Sequence, residues 1–364
     1  MKISSAKRWG RQVWDLDNGA VTMTVMPGGG HIAGLRVNEG PVVNPLWKPV
    51  WKSMEPGQYR AADARRYALK LLATIFGHNL CLGHFGDSSP EEQRAGLGSH
   101  GEAPVTRWRV TTRRITARGL TFVYGCTMPI AGMRLVRTIT SRRNSAIFNV
   151  RESVTSTVRR DQPFTMCEHV TFGPPFVQPE VTVFDMPATR GQTFPGVFGS
   201  TQRMKMNTTF DWPKGPGESG PIDLRTMRKP RNSDFSTQII DPRRAMAWFS
   251  AVNPKMGLLV AYTWNRADFP WVGNWEENHA RSTVPWNRAS LTRGMEFSNA
   301  PFPEGIREAV SRGKLFGVPT FAWLPALSTV TMNFSVIARR VPLNCRGVAD
   351  IRATAKGYDI DLVQ

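Results

Sequence analysis

Three residues in this chain stand where acid/base chemistry needs them. His100 lies in Gly98-Ser99-His100-Gly101-Glu102-Ala103-Pro104, just before a strand pattern at Arg107-Trp108, and the flanking glycines let backbone approach a ligand closely. His169 lies in Cys167-Glu168-His169-Val170-Thr171-Phe172, where a strand pattern runs into Gly173-Pro174-Pro175. Strand ends that feed turns expose side chains which a rigid scaffold positions. Glu296 sits between Met295 and Phe297, and a carboxylate in apolar surroundings has its charged form disfavoured, as a general base requires. Taken singly, each also reads as a turn residue, a satisfied core residue or a solvent-facing strand residue.

A second set of side chains offers donors, acceptors and flat apolar faces. Gly77-His78-Asn79-Leu80-Cys81-Leu82-Gly83-His84-Phe85-Gly86-Asp87 carries His78, Asn79, His84 and Asp87, a mixture suited to hydroxyl groups. Trp264 to Asn278 holds Trp271 and Trp275 among amides and acids, with Trp286 nearby. That grouping suits either a stacking platform for a sugar ring or a packed aromatic corner. Other chemistries lack their patterns. The chain has no HExxH, no Cys/His set at zinc-ligand spacing, no Gly-x-Ser-x-Gly elbow and no phosphate loop after Gly28-Gly29-Gly30. No metal and no cofactor are expected.

The elements that must position these residues read as strands. Leu120, Phe122, Tyr124, Cys126 and Met128 alternate with small or polar residues, and Val330, Met332, Phe334 and Val336 repeat the period. Arg107–Thr112 and Ser145–Val154 read the same way. With 32 Gly and 27 Pro and few amphipathic runs, the chain reads as an antiparallel sandwich and not as alternating strands and helices. Helix is expected only over Asp63–Phe76 and Pro303–Arg312, and Pro213–Asp234 reads as a long surface loop. Similar patterns on both sides of that loop point to one domain spanning 1–364.

These contexts, in their order, resemble the aldose 1-epimerase (galactose mutarotase) family. Ser99-His100-Gly101 before Trp108 is similar to the family's His-Gly motif before a Trp-bearing strand. His169-Val170-Thr171-Phe172 resembles its second histidine motif, and Arg293-Gly294-Met295-Glu296 its late glutamate. Met26-Pro27-Gly28-Gly29-Gly30-His31-Ile32-Ala33-Gly34-Leu35 is similar to the family's opening strand pair. The 77–87 segment stands where the family presents an Asn-Arg pair, so His78, Asn79, His84 and Asp87 are expected to take its place. The resemblance implies an all-β, large antiparallel β-supersandwich and interconversion of sugar anomers. It implies that Glu296 takes the anomeric proton, that His169 protonates the ring oxygen, and that His100 holds a hydroxyl or assists as donor. Alternatives are a carbohydrate-binding protein without turnover, or a glycoside hydrolase or lyase with Glu102, Glu168 or Glu276 as second acid.

Charge bears on the partner. The 47 basic and 28 acidic residues leave a net charge of +19, which attracts polyanions. The basic residues are scattered pairs such as Arg113-Arg114, Arg142-Arg143, Arg159-Arg160 and Arg339-Arg340, with no zinc-finger, RNP or basic-helix pattern. The expected partner is therefore a small carbohydrate, neutral or singly charged, and not nucleic acid. Cys81, Cys126, Cys167 and Cys345 read as buried thiols. With no apolar span and no signal-peptide core in the sequence, a cytoplasmic location away from membranes is expected.

Overall fold

The computed structural model describes residues 1–199 and 201–364. Two antiparallel sheets face each other. One contains twelve strands: Lys2–Arg8, Arg11–Asp17, Val21–Val25, Ile32–Val37, His78–Gly83, Gln162–Phe172, Leu291–Ser298, Trp271–Asn278, Asn232–Ile240, Ala188–Thr193 and Thr209–Asp211 in spatial order, with Ala322–Leu324 paired to one end of Gln162–Phe172. The other runs Val183–Asp185, Met246–Asn253, Leu258–Asn265, Thr329–Arg340, Ile147–Ser156, Met133–Arg142, Gly119–Met128 and Arg109–Ile115. This is the all-β sandwich that the alternation predicts.

Period-two patterning explains how the layers meet. Along Gly119–Met128 every second residue is buried, and Phe122, Tyr124 and Met128 enter the core with Leu135, Phe148, Val150 and Phe334 of neighbouring strands. From the larger sheet come Leu80, Met166, Val170, Phe172, Val272, Met295 and Phe297. Trp264 stacks on Phe297 across this space with ring centroids 4.3 Å apart. The central strands of the larger sheet are buried on both faces, so their sequences do not alternate cleanly.

Two local expectations change. The stretch Asp63–Phe76 is not one helix but two turns, Ala64–Tyr67 and Lys70–Thr74, interrupted where Ala68 takes φ 63° and Leu69 is extended. Pro213–Asp234 is not simply a loop. It contains the hairpin Lys214–Gly217/Gly220–Asp223, and its last residues begin the buried strand Asn232–Ile240. Polar residues disguise that strand: Asn232 Nδ2 donates to Asp234 Oδ2 and Glu276 Oε2, each at 2.9 Å, so their burial is compensated. The second helix runs over Gly305–Arg312 and stops at Gly313, φ 68°. All four cysteines are buried and unpaired. No helix among the described residues is long and apolar enough to cross a membrane.

Candidate functional site

Strand register assembles the site. Gln162–Phe172 lies between His78–Gly83 and Leu291–Ser298, with Asn79 opposite His169 and His169 opposite Glu296. Gly273 of the next strand lies opposite Glu296. These residues share one row, and alternation sends Glu168, the neighbour of His169, to the opposite face. Glycines make room for the carboxylate. A Cβ at Gly294 would stand 2.4 Å from Glu296 Oε1, and one at Gly273 would stand 2.7 Å from Phe235 Cζ.

His100 arrives from a loop. His100 and Gly101 both have positive φ, 64° and 79°, which folds the chain back against Leu82, where a Cβ at Gly101 would lie 2.2 Å from the Leu82 carbonyl. The His100 N–H donates to Gly86 O at 2.8 Å. Its ring then meets His169 edge-on, with centroids 5.5 Å apart and an interplanar angle of 89°. His169 Nε2 lies 3.2 Å from Glu296 Oε1, and its Nδ1 lies 3.0 Å from Thr171 Oγ1.

These three side chains line one cavity of about 280 Å³. Asp87, Ser99 and Arg281 add polar groups, while Phe85, Phe235, Trp275 and Trp286 form aromatic walls. Trp275 and Trp286 meet edge-on at 5.9 Å, and the Arg281 guanidinium sits over both rings at 5.4 and 5.1 Å. Larger hollows of about 1020 and 670 Å³ lie elsewhere, and neither is lined by a histidine. Aromatic walls beside a few converging polar groups are what an amphipathic ring ligand requires.

Protonation follows from burial and neighbours. Burial pushes Glu296 well above the ordinary carboxylate value, reinforced by the charge of Cys81 and opposed by Arg281. Burial, then the charge of His100, pushes His169 well below its ordinary value. His100 behaves oppositely: burial disfavours its charged form, but the charge and hydrogen bond of Cys81 outweigh it and raise its pKa. The shifts thus favour the protonated form of His100, weaken His169 as a base and strengthen Glu296 as one.

Of the residues singled out from sequence, His100, His169, Glu296, Asp87, Trp275 and Trp286 border the cavity. The others do not. His78 faces the sandwich interior, its Nε2 2.5 Å from Glu168 Oε2 and its Nδ1 near Tyr262 OH. Asn79 is adjacent to His169 in register but fully buried. His84 Nε2 lies 2.9 Å from both Gly98 O and Ser88 Oγ, which makes it a loop tether. Trp271 is fully buried and its Nε1 donates to Pro319 O at 3.3 Å. The acids considered for a hydrolase are also engaged elsewhere: Glu102 accepts from Ala131 N, Glu168 faces the core, and Glu276 pairs with Arg293. Arg281, Phe85 and Phe235 were not legible as site residues, because nothing in the sequence separates Arg281 from the other 46 basic residues. Among the described residues, no group of three or more His, Cys, Asp or Glu side chains is arranged to hold a metal ion.

Fold and pocket together define a two-sheet antiparallel sandwich with a histidine–glutamate cavity on one sheet. Solved structures give that architecture a name. A candidate aldose 1-epimerase from Klebsiella pneumoniae superposes with a TM-score of 0.65 at 12% identity, covering 91% of this chain and 80% of its own. A galactose mutarotase-like protein from Clostridium acetobutylicum gives 0.59 at 11% identity, covering 94% and 99%. A galactose mutarotase related enzyme from Lactobacillus acidophilus gives 0.55 at 13% identity, covering 91% and 98%. No protein-family model and no curated protein matches the chain by sequence. The fold is the galactose mutarotase-like β-sandwich.

Proposed function

We propose that this protein binds a monosaccharide in the His100–His169–Glu296 cavity and interconverts its anomers by opening and reclosing the ring. The observation that carries this reading is the convergence of an acid, a base and a second histidine in one cavity with aromatic walls. The whole chain, 1–364, is read as one domain built around that site. Glu296, its basicity raised by burial, accepts the proton of the anomeric hydroxyl. A histidine delivers a proton to the ring oxygen, and the C1–O5 bond opens to the aldehyde. Rotation about C1–C2 and the reverse transfers give the other anomer. The raised pKa of His100 makes it a ready donor beside His169, to which the family resemblance gave that role. Proton transfer by placed groups contributes about 10²–10⁴-fold. Trp275 and Trp286 would face the C–H surface of the ring, and Arg281 and Asp87 its hydroxyls.

Exchange spectroscopy between the anomeric protons of freely mutarotating aldoses tests this reading. Saturation transfer that rises with protein concentration is expected for at least one aldose. Binding without accelerated exchange would favour the non-catalytic reading. Hydrolysis of aryl glycosides would favour a hydrolase, for which Asp87 is the second carboxylate that borders the cavity.

A further inference from the structure

Behind the pocket wall, two cysteines occupy a position that the sugar chemistry does not use. Cys81 and Cys167 lie directly opposite each other on adjacent antiparallel strands. They stand two residues from Asn79 and His169, so both point to the cavity side of the sheet. Opposed residues on such strands hold their Cα atoms about 4.5–5.5 Å apart, inside the range of roughly 4.4–6.8 Å that a disulfide spans. The Cys81 sulfur lies 3.1 Å from His100 Nδ1, and Cys167 faces it from the neighbouring strand. His100 itself borders the cavity, and the two thiols lie fully buried with the His100 ring against Cys81.

We propose that Cys81 and Cys167 form a redox-active dithiol that hydrogen peroxide oxidises to a disulfide. Cys81 is the nucleophile, because a histidine at Sγ stabilises the thiolate, which is the reactive form. Burial disfavours that thiolate, yet the hydrogen bonds from Cys167 and His100 and the charge of His100 bring the Cys81 pKa down to about 6. The other cysteines lack this setting: burial pushes Cys126 up to about 12, and the Cys345 thiol faces the carbonyl of Gly347 at 3.4 Å. In the first step the Cys81 thiolate attacks a peroxide oxygen, breaking the O–O bond to give a sulfenic acid and hydroxide. In the second, the Cys167 sulfur attacks the Cys81 sulfur, forming S–S and expelling hydroxide, which takes up the Cys167 proton as water. The balance is two thiols and one peroxide to one disulfide and two waters. Once oxidised, Cys81 no longer offers an anion to His100, so the histidine loses the partner that favours its charged form. The dithiol does not depend on which ligand the cavity takes.

The test is brief peroxide treatment of the folded protein, acid quenching, alkylation under denaturing conditions and peptide mass spectrometry. A linked Cys81–Cys167 peptide is expected, with Cys126 and Cys345 alkylated and Cys81 consumed at least about tenfold faster than either. In Cys167→Ser the reaction should stop at a sulfenic acid on Cys81 that dimedone captures, and in Cys81→Ser the Cys167 thiol should stay reduced. Nuclear magnetic resonance of the wild type should show the His100 titration moving to lower pH on oxidation. Equal consumption of all four cysteines, absence of the linked peptide, or an unmoved His100 titration would overturn the proposal. None of these readouts uses sugar turnover, so failure here leaves the anomerase reading standing, and the converse.

Discussion

Glu168 and His169 are consecutive residues on one strand, and each belongs to a histidine–glutamate pair. Glu168 turns inward to His78; His169 turns outward to Glu296. The inner pair is sealed between the sheets with Arg137, which donates to Glu152, to Gly30 O at 2.7 Å and to Tyr124 OH at 3.1 Å, and lies 3.5 Å from Glu168. Tyr262 OH closes the far side of His78 at 3.3 Å. The outer pair has the same two side chains but opens on a cavity, with Arg281 held back over Trp275 and Trp286. The contrast teaches that a buried His–Glu pair is not functional by composition. With a guanidinium inside its hydrogen-bond network it is a structural joint; without one, and beside open space, it has the setting that the proposed proton transfer requires.

The largest effect should come from removing the cation that defines the inner pair. Arg137→Ala leaves Glu152 and Glu168 buried without countercharge, and a loss of about 3–5 kcal/mol in urea unfolding is expected. A loss below about 1 kcal/mol would break the comparison, since the inner network would then not be holding the sheets together. Glu296→Gln should act the other way round. Anomer exchange is expected to fall by about 10²–10⁴-fold while the melting temperature stays within a few degrees, because the amide keeps the shape but cannot take the proton. Retained exchange in that variant would remove Glu296 from the chemistry.

The two tryptophans of one strand sharpen the contrast further. Trp271→Ala should cost about 3–5 kcal/mol of stability, as expected for a fully buried ring, with little change in sugar affinity. Trp275→Ala should instead weaken affinity by roughly tenfold, the scale of about 1.4 kcal/mol, as read by titration calorimetry. An identical response from both would mean that the aromatic wall is packing alone.

The smallest effect concerns pH. Burial raises the Glu296 pKa, so its basic form is present above that value and lost as pH falls through it. The acid limb of the rate profile should therefore lie above the ordinary glutamate value of about 4.3. A limb at or below that value would place the reacting base outside this cavity.

Some of this was legible without coordinates. The alternation of Gly119–Met128 and Thr329–Arg340 named its strands, because one face of each packs on the core and the other is wet. Asn232–Ile240 was missed because it is buried on both sides and carries polar residues on both, which erases the period. His100, His169 and Glu296 were grouped by the family resemblance and line one cavity, whereas His78 and His84 looked equally suited and turned to other tasks. Trp271 and Trp275, four residues apart on one strand and so pointing to the same face, also looked alike; one ends under the Lys314–Pro319 segment and the other against the cavity.

The amino-acid sequence by itself determined what local rules can express: the all-β class, the burial of four thiols, and the residue types able to move protons. Which of those residues meet was decided only in three dimensions. His78–Gly83, Gln162–Phe172 and Leu291–Ser298 are distant in the chain and adjacent in the sheet, so register alone sets Asn79, His169 and Glu296 in one row. A shift of one residue in that pairing would send His169 into the core and Glu168 into the cavity, because successive side chains on a strand point to opposite faces.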